Sequence, residues 1–315
     1  MRSGHRIPDL AVIIPARNEA SRLGGCLDSI RQALECAEVA DAEVIVVDDH
    51  STDETSDVAR AYGALAIRQS PRLGPLGAWS LGVANSSASL LFFADADCRV
   101  DKGAFSALLR GFGRPTIGVI AARGEPGSGH TVNSLVARSA TFSALMLHET
   151  KSRLVNHDFL PIGRLMALRR AAWQGGDHRW PCDRTVALRA KQAGWEIIYM
   201  PEAVVYYQPV GTYHELRSDY VRTAIAQRQL IGDWSEQVPR GVVGRAASAS
   251  LRRQPLNAVA WLALRARLRS ERSVGLMRPH EASARWDRLG PGSPISSRTR
   301  PSRRTPSAES TGRPM

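Results

Sequence analysis

Three observations predict an α/β fold, with a mostly parallel sheet flanked by helices. Apolar runs of strand length recur four times in the first 100 residues. Segments with apolar residues at helical spacing separate them. The runs also end in polar or acidic residues: Arg17 and Asn18, Asp48 and Asp49, then Asp95 and Asp97. In a parallel sheet those ends share one rim, where open α/β sheets bind ligands.

Leu10 to Ile14 is the first strand, broken after Pro15. Leu23, Cys26, Leu27, Ile30, Ala33 and Leu34 then mark one face of a helix. Glu43 to Val47 is a second, β-branched run. Ser51-x-x-Glu54 matches a capping box, predicting a helix that carries Val58, Ala59 and Tyr62 inward. Ala64 to Ile67 is a short third strand. The turn Pro71-Arg72-Leu73-Gly74-Pro75 leads into a helix bearing Leu76, Trp79 and Val83. Leu90 to Ala94 is the fourth strand, continuing into Asp95 and Asp97. Residues i and i+2 of a strand face the same way, so these two carboxylates are expected to converge at its end. Their oxygens suit Mg²⁺ or Mn²⁺ bound together with substrate phosphates. The alternative is a loop with two solvated aspartates.

The chain of 315 residues is 43% hydrophobic with a net charge of +12, which reads as a soluble globular protein. Arginine supplies the excess, Lys102, Lys151 and Lys191 being the only lysines. Arginine use this extreme reads first as the mark of a GC-rich genome, and the charge is also compatible with phosphate-bearing or anionic-membrane partners. Cys26, Cys36, Cys98 and Cys182 form neither a C-x-x-C pair nor a zinc spacing, as expected for free thiols in a reducing compartment. With no secretory h-region and no run of ~18 apolar residues, the expected location is cytoplasmic, at most peripheral to the membrane's inner face. Neither G-x-G-x-x-G after the first strand nor G-x-x-x-x-G-K-[ST] occurs, so dinucleotide and P-loop readings lose support.

Val12-Ile-Ile-Pro-Ala-Arg-Asn-Glu19, Val46-Val-Asp-Asp-His-Ser-Thr-Asp53 and Phe93-Ala-Asp-Ala-Asp-Cys98 together resemble the signature segments of glycosyltransferase family 2. The resemblance implies a GT-A fold and a nucleotide-diphosphate sugar as donor. It implies a base pocket around Pro15, Ala16, Arg17 and Glu19, with Asp49 accepting from the base and Arg72 near the diphosphate. Asp95 would lie by the ribose or the metal, and Asp97 would ligate a divalent cation, Mn²⁺ or Mg²⁺. Asp49 has an alternative role, as a second helix cap beside Ser51.

The second half reads differently. Ile117 to Ala121 is a strand, Arg123 to His130 a glycine-rich loop, and Val132 to His148 a helix. Gly163 to Arg170 and Cys182 to Trp195 resemble the family's acceptor-side segment, with Cys182 where the family carries Glu and Asp183 on its Asp. The resemblance makes Asp183 the general base for the acceptor hydroxyl, and capping of the 184–193 helix is compatible with that role. Asp177 and His178 are reserve candidates. Family members often carry a histidine after the Pro-x-Ala-x-Val segment. Here Pro201 to Val205 is followed by Tyr206 and Tyr207, leaving His214 as a substitute. Gln227-Arg228-Gln229-Leu230 lacks the processive Gln-x-x-Arg-Trp pattern, which points to single addition.

Leu256 to Leu268 is an apolar helix with a basic end, either packed on the domain with its arginines in water or lying on an anionic membrane. Residues 276–315 are rich in Arg, Ser and Pro and are expected to be disordered. The expected organisation is a donor-binding half (8–115), an acceptor-binding half (116–215), a helical region (216–275) and that tail. The expected reaction is metal-assisted, inverting transfer of a sugar to the hydroxyl of a small molecule, lipid or glycan, with no nucleic acid. The rivals are a sugar nucleotidyltransferase, a degenerate enzyme acting as a binding module, and a nucleic-acid-binding protein.

Overall fold

The computed structural model describes residues 10–127, 134–154, 163–175, 182–220 and 240–273. The first half alternates as predicted: β1 (Leu10–Ala16), α1 (Ala20–Cys36), β2 (Glu43–Asp48), α2 (Thr55–Ala61), β3 (Leu65–Arg68), α3 (Gly74–Ala84) and β4 (Leu90–Ala94). Then come β5 (Cys98–Val100), α4 (Ala104–Gly111), β6 (Ile117–Pro126), α5 (Leu135–Lys151), β7 (Leu165–Arg169), α6 (Cys182–Gln192) and β8 (Glu196–Tyr207). Two helices, α7 (Arg240–Arg253) and α8 (Pro255–Ser273), complete the described chain.

All strands join one curled sheet in the order β3-β2-β1-β4-β7-β6-β8-β5. β3, β2, β1 and β4 are parallel neighbours, and so are β6 and β8. β7 enters antiparallel between β4 and β6, and β5 pairs antiparallel with β8. The curl has a consequence for function. β5 starts only a few residues after β4 ends, yet it closes the far edge of the sheet on β8, so the end of β8 lies beside the end of β4.

Both faces of the central strands are buried, which is why they read as unbroken apolar runs. Leu10, Val12 and Ile14 of β1 and Leu90, Phe92 and Ala94 of β4 face one core, packed with α1 and α4. Ala11, Ile13, Leu91 and Phe93 face the other, packed with α3 and α6. The buried face of α1 is the predicted one, Leu23, Cys26, Leu27, Ile30, Ala33 and Leu34. Gly82 lets α3 press on the sheet, since a Cβ there would run into Ile13.

Several expectations need correction. The Ser51–Glu54 capping box does not form. Ser51 Oγ instead accepts from Asn18 N (3.0 Å), α2 starts at Thr55, and Tyr62 is exposed. The cross-loop bond to the β1–α1 turn outcompetes the local one. β6 runs on through Arg123 to Pro126, where a loop was expected, because β8 supplies paired partners as far as Tyr207. Pro201 to Ala203 sit in a bulge of β8 between paired Met200 and Val204, where the proline needs no ladder donor. The predicted 132–148 helix is shifted: Ser134 caps α5 by accepting from Ala137 N, and the helix continues to Lys151. Asp177, His178, residues 227–230 and the 276–315 tail lie outside the described residues.

α8 packs through Ala258, Leu264 and Leu268, with Trp261 against Phe142 of α5 at 5.5 Å between rings. Its arginines do not simply stand in water. Arg265 lies over Trp261 and Tyr220, and Arg267 over Tyr213. The opposite face of α8 exposes Leu256, Val259 and Leu262. Among the described residues no helix is long and apolar enough to cross a membrane.

Candidate active site

Asp95 and Asp97 lie in the turn between β4 and β5, not on β4 as the i, i+2 argument had them. The turn still brings the carboxylates together, because both of its ends are pinned. At one end Ala94 pairs with Leu165, and Asp95 N donates to Arg164 O (3.0 Å). At the other, Cys98 pairs with Tyr207. The two side chains remain part-exposed, at 40% and 23%, so a ligand can reach them.

A residue that sequence reasoning did not single out completes this corner. Arg164 Nη1 lies 3.2 and 3.4 Å from the two Asp97 oxygens and 3.6 Å from Asp95 Oδ2. Its guanidinium rests on the Tyr207 ring, 4.3 Å from the centroid. Burial disfavours the charged guanidinium, but Asp97 and Asp95 outweigh that and raise its pKa. One signal in the sequence could have found it. Arg164 directly precedes the apolar run Leu165 to Leu168, and the start of an antiparallel strand lies on the same rim as the ends of its neighbours.

The donor set fits a hard divalent cation. Asp95, Asp97 and Cys98 form a group whose ligand atoms all lie within 4.8 Å of one another. Burial pushes the Cys98 thiol well up, reinforced by Asp95 and Asp97, and its Sγ donates to Asp97 Oδ1 (3.6 Å). Hard divalent cations prefer oxygen to thiol sulfur, so the two carboxylates are the ligands on offer, the arrangement Mg²⁺ or Mn²⁺ takes up beside substrate phosphates. Cys26, raised to about 12 by burial and by Asp97 and Asp95, donates to Asp95 O (3.5 Å) and braces the turn from below. His214 is exposed and is not in this group, and Tyr207 contributes its ring to Arg164.

The ends of β1 and β2 form the next stretch of the rim. Pro15 pairs with Val47 and Ala16 with Asp48, and part-buried Arg17 follows. Asn18 and His50 adopt positive φ at the two strand ends (52° and 64°), a conformation Asn tolerates better than most residues. Asn18 Oδ1 accepts from Thr52 N (2.8 Å), Glu19 N donates to Thr55 Oγ1 (2.9 Å), and Ala20 N donates to Asp53 Oδ2 (3.1 Å). The two loops are therefore bonded directly to each other. The Glu19 carboxylate is paired with Arg22 (2.7 and 2.9 Å), while burial raises its pKa against that pull and Asp97 adds to the rise.

Asp49 is buried and engaged by its own chain. Oδ1 accepts from Gln69 Nε2 (2.8 Å) and Leu73 N (3.0 Å), Oδ2 accepts from Gly74 N (3.1 Å), and buried Arg72 brings Nε to 3.5 Å. It caps α3, not α2 as the capping alternative had it. Gly74, at φ 74°, lets the backbone turn its amide onto the carboxylate.

Asp183 stands in the first turn of α6. Its Oδ2 accepts from Gly163 N (3.1 Å) and its Oδ1 from Arg184 N (2.9 Å). Burial raises its pKa, while these two amides pull it down. The bond to Gly163 ties Asp183 to the residue before Arg164, so the two candidate sites share one short segment.

Comparison with known proteins adds to this geometry. The curated 4,4'-diaponeurosporenoate glycosyltransferase of Staphylococcus aureus (strain USA300) is 40% identical over 93 residues, 28% of this chain and 24% of that protein. The strain MRSA252 protein of that name is 39% identical over 106 residues, 32% and 27% of the two chains. The chain thus spans about a quarter of the length of these relatives. Among solved structures, mannosyltransferase PcManGT from Pyrobaculum calidifontis, in complex with GDP-Man and Mn²⁺, superposes with a TM-score of 0.58 at 20% identity, covering 89% of this chain and 84% of that one. It shares the GT-A fold. The family model described as glycosyl transferase family 2 matches residues 11–175, more than half of the chain, and the chain belongs to that family.

Proposed function

We propose that the protein transfers one sugar at a time from a nucleotide-diphosphate donor to an acceptor hydroxyl, with inversion at the anomeric carbon. The observation that carries this reading is the part-exposed Asp95–Asp97 pair, gathered at the rim beside the strand ends that bear Pro15, Ala16, Arg17 and Glu19. A divalent cation held by Asp95 and Asp97 would offset the charge of the departing diphosphate. The β1 and β2 end loops, bonded to each other, form the wall for the base and ribose. Asp49 and Arg72 hold the 69–74 turn and the start of α3 in place against that wall. Asp183 accepts the proton of the acceptor oxygen as that oxygen bonds to the anomeric carbon and the bond from that carbon to the diphosphate oxygen breaks. The electron pair leaves on the diphosphate, so no general acid is required. A raised pKa suits a base that must take a proton and then release it.

The outer face of α8 supports an acceptor presented at an anionic lipid surface. Leu256, Val259 and Leu262 are 70%, 63% and 58% exposed. Arg267 and Arg269 flank that row, and α7 carries arginines and no acidic residue. Apolar side chains bordered by arginine match a bilayer interface rich in acidic lipid.

The test is a panel of nucleotide sugars with Mn²⁺, following release of the nucleoside diphosphate with and without lipid extract as acceptor. Mn²⁺-dependent release from one donor, stimulated by lipid, is expected. Absence of release from every donor would overturn the reading. Stimulation by water-soluble sugars alone would remove the lipid surface.

A further inference from the structure

The geometry points to Arg164 as a resident counter-ion of the Asp95–Asp97 pair: a divalent cation must displace it, and the donor's diphosphate then receives it. This rests on the reading that the aspartate pair holds the cation.

Three of the pair's four carboxylate oxygens already lie within 3.2–3.6 Å of one nitrogen, Arg164 Nη1. A bound Mg²⁺ needs oxygens at about 2.0–2.1 Å, drawn from the lone pairs the guanidinium now uses. Two cations cannot share that space without strong repulsion. Arginine, unlike lysine or histidine, keeps its charge beside an incoming cation. Arg164 therefore leaves only by moving.

The structure provides for such movement. The Arg164 backbone is fixed, its carbonyl accepting from Asp95 N (3.0 Å) and its neighbour Gly163 bonded to Asp183 (3.1 Å). The side chain, by contrast, is one-third exposed and sits over the Tyr207 ring. It can turn about its stem while staying on the ring face. A diphosphate arriving with the cation offers the planar guanidinium a two-pronged partner. The cation alone thus binds against a resident charge, whereas cation and diphosphate together exchange one set of partners for another. Binding of the two is coupled, and the coupling is reciprocal.

The experiment is Mn²⁺ titration of the full chain, alone and with saturating UDP or GDP, for the wild type, Arg164→Gln, Arg164→Met and Asp97→Asn. Without nucleotide, Arg164→Gln is expected to bind Mn²⁺ about 10-fold tighter than the wild type. The strengthening of Mn²⁺ binding by nucleotide should shrink by a similar factor. Arg164→Met, which keeps an apolar stem on Tyr207, should behave alike. A gain of affinity cannot come from a damaged fold. Equal or weaker Mn²⁺ binding by both Arg164 variants, with binding lost in Asp97→Asn, would overturn this inference and leave the metal site standing. Unchanged binding in Asp97→Asn would instead overturn the metal site itself, and the inference with it.

Discussion

Asp49 and the Asp95–Asp97 pair are acidic groups on one sheet rim, following β2 and β4 on either side of β1, yet they are built in opposite ways. Asp49 is buried, and the groups that answer it come from the 69–74 segment: two amides, one side-chain amide and an arginine. Asp95 and Asp97 are part-exposed, and Arg164, from the far side of the chain, reaches both. A carboxylate held partly by backbone amides is tied to the fold that supplies them. One balanced by a partly exposed side chain can exchange partners. Likeness of residue type and position on the rim therefore says little about role, and what decides it is whether the counter-charge can be replaced.

This contrast can be broken by mutation. The largest expected effect is Asp97→Asn, which should lower Mn²⁺-dependent transfer about a thousandfold, in line with the several kcal/mol a metal supplies. Its urea midpoint should stay near that of the wild type, and a large drop in stability would put Asp97 in the scaffold. Next in size, Asp183→Asn should reduce kcat by about 10²–10³ while donor affinity, read by titration calorimetry, is retained. Turnover near the wild-type level would remove the base. Asp49→Ala should act on the other side of the contrast. Loss of the carboxylate leaves Arg72 and the α3 amides without their acceptor and should cost about 3–5 kcal/mol of stability in urea unfolding. A fully stable Asp49→Ala that has lost nucleotide binding would make Asp49 a donor contact and not a cap. The smallest effect is on pH. Burial raises the Asp183 pKa, and a base works only when ionised, so kcat should fall with acidity at a pH above the usual aspartate value of about 3.9. A limb at or below that value in the kcat profile would contradict the proposal that Asp183 is the base.

Much of the donor half was legible in the sequence. Strand-length apolar runs, the inward face of α1 and the order of the acidic segments depend on local periodicity, and periodicity survives in any context. The local capping prediction failed because Ser51 serves Asn18, 33 residues away in the chain. The site was half-legible: Asp95 and Asp97 stood out as a motif, but the reason they converge is a pinned turn and not strand alternation. Arg164 was legible only as the residue before an apolar run, since nothing in its neighbourhood says that this run enters antiparallel beside β4.

Taken alone, the sequence determined the alternation of β1 to β4 with α1 to α3 and the rim they share, and its motifs pointed to the family, because close-packed βα units leave a strong local pattern. Tertiary structure decided which charges meet. The curl that sets β8 against β5, and the reversal of β7, bring Tyr207 and Arg164 to the Asp95–Asp97 turn. Such meetings depend on strand order and direction, to which residues 67 or more positions apart contribute no shared local signal.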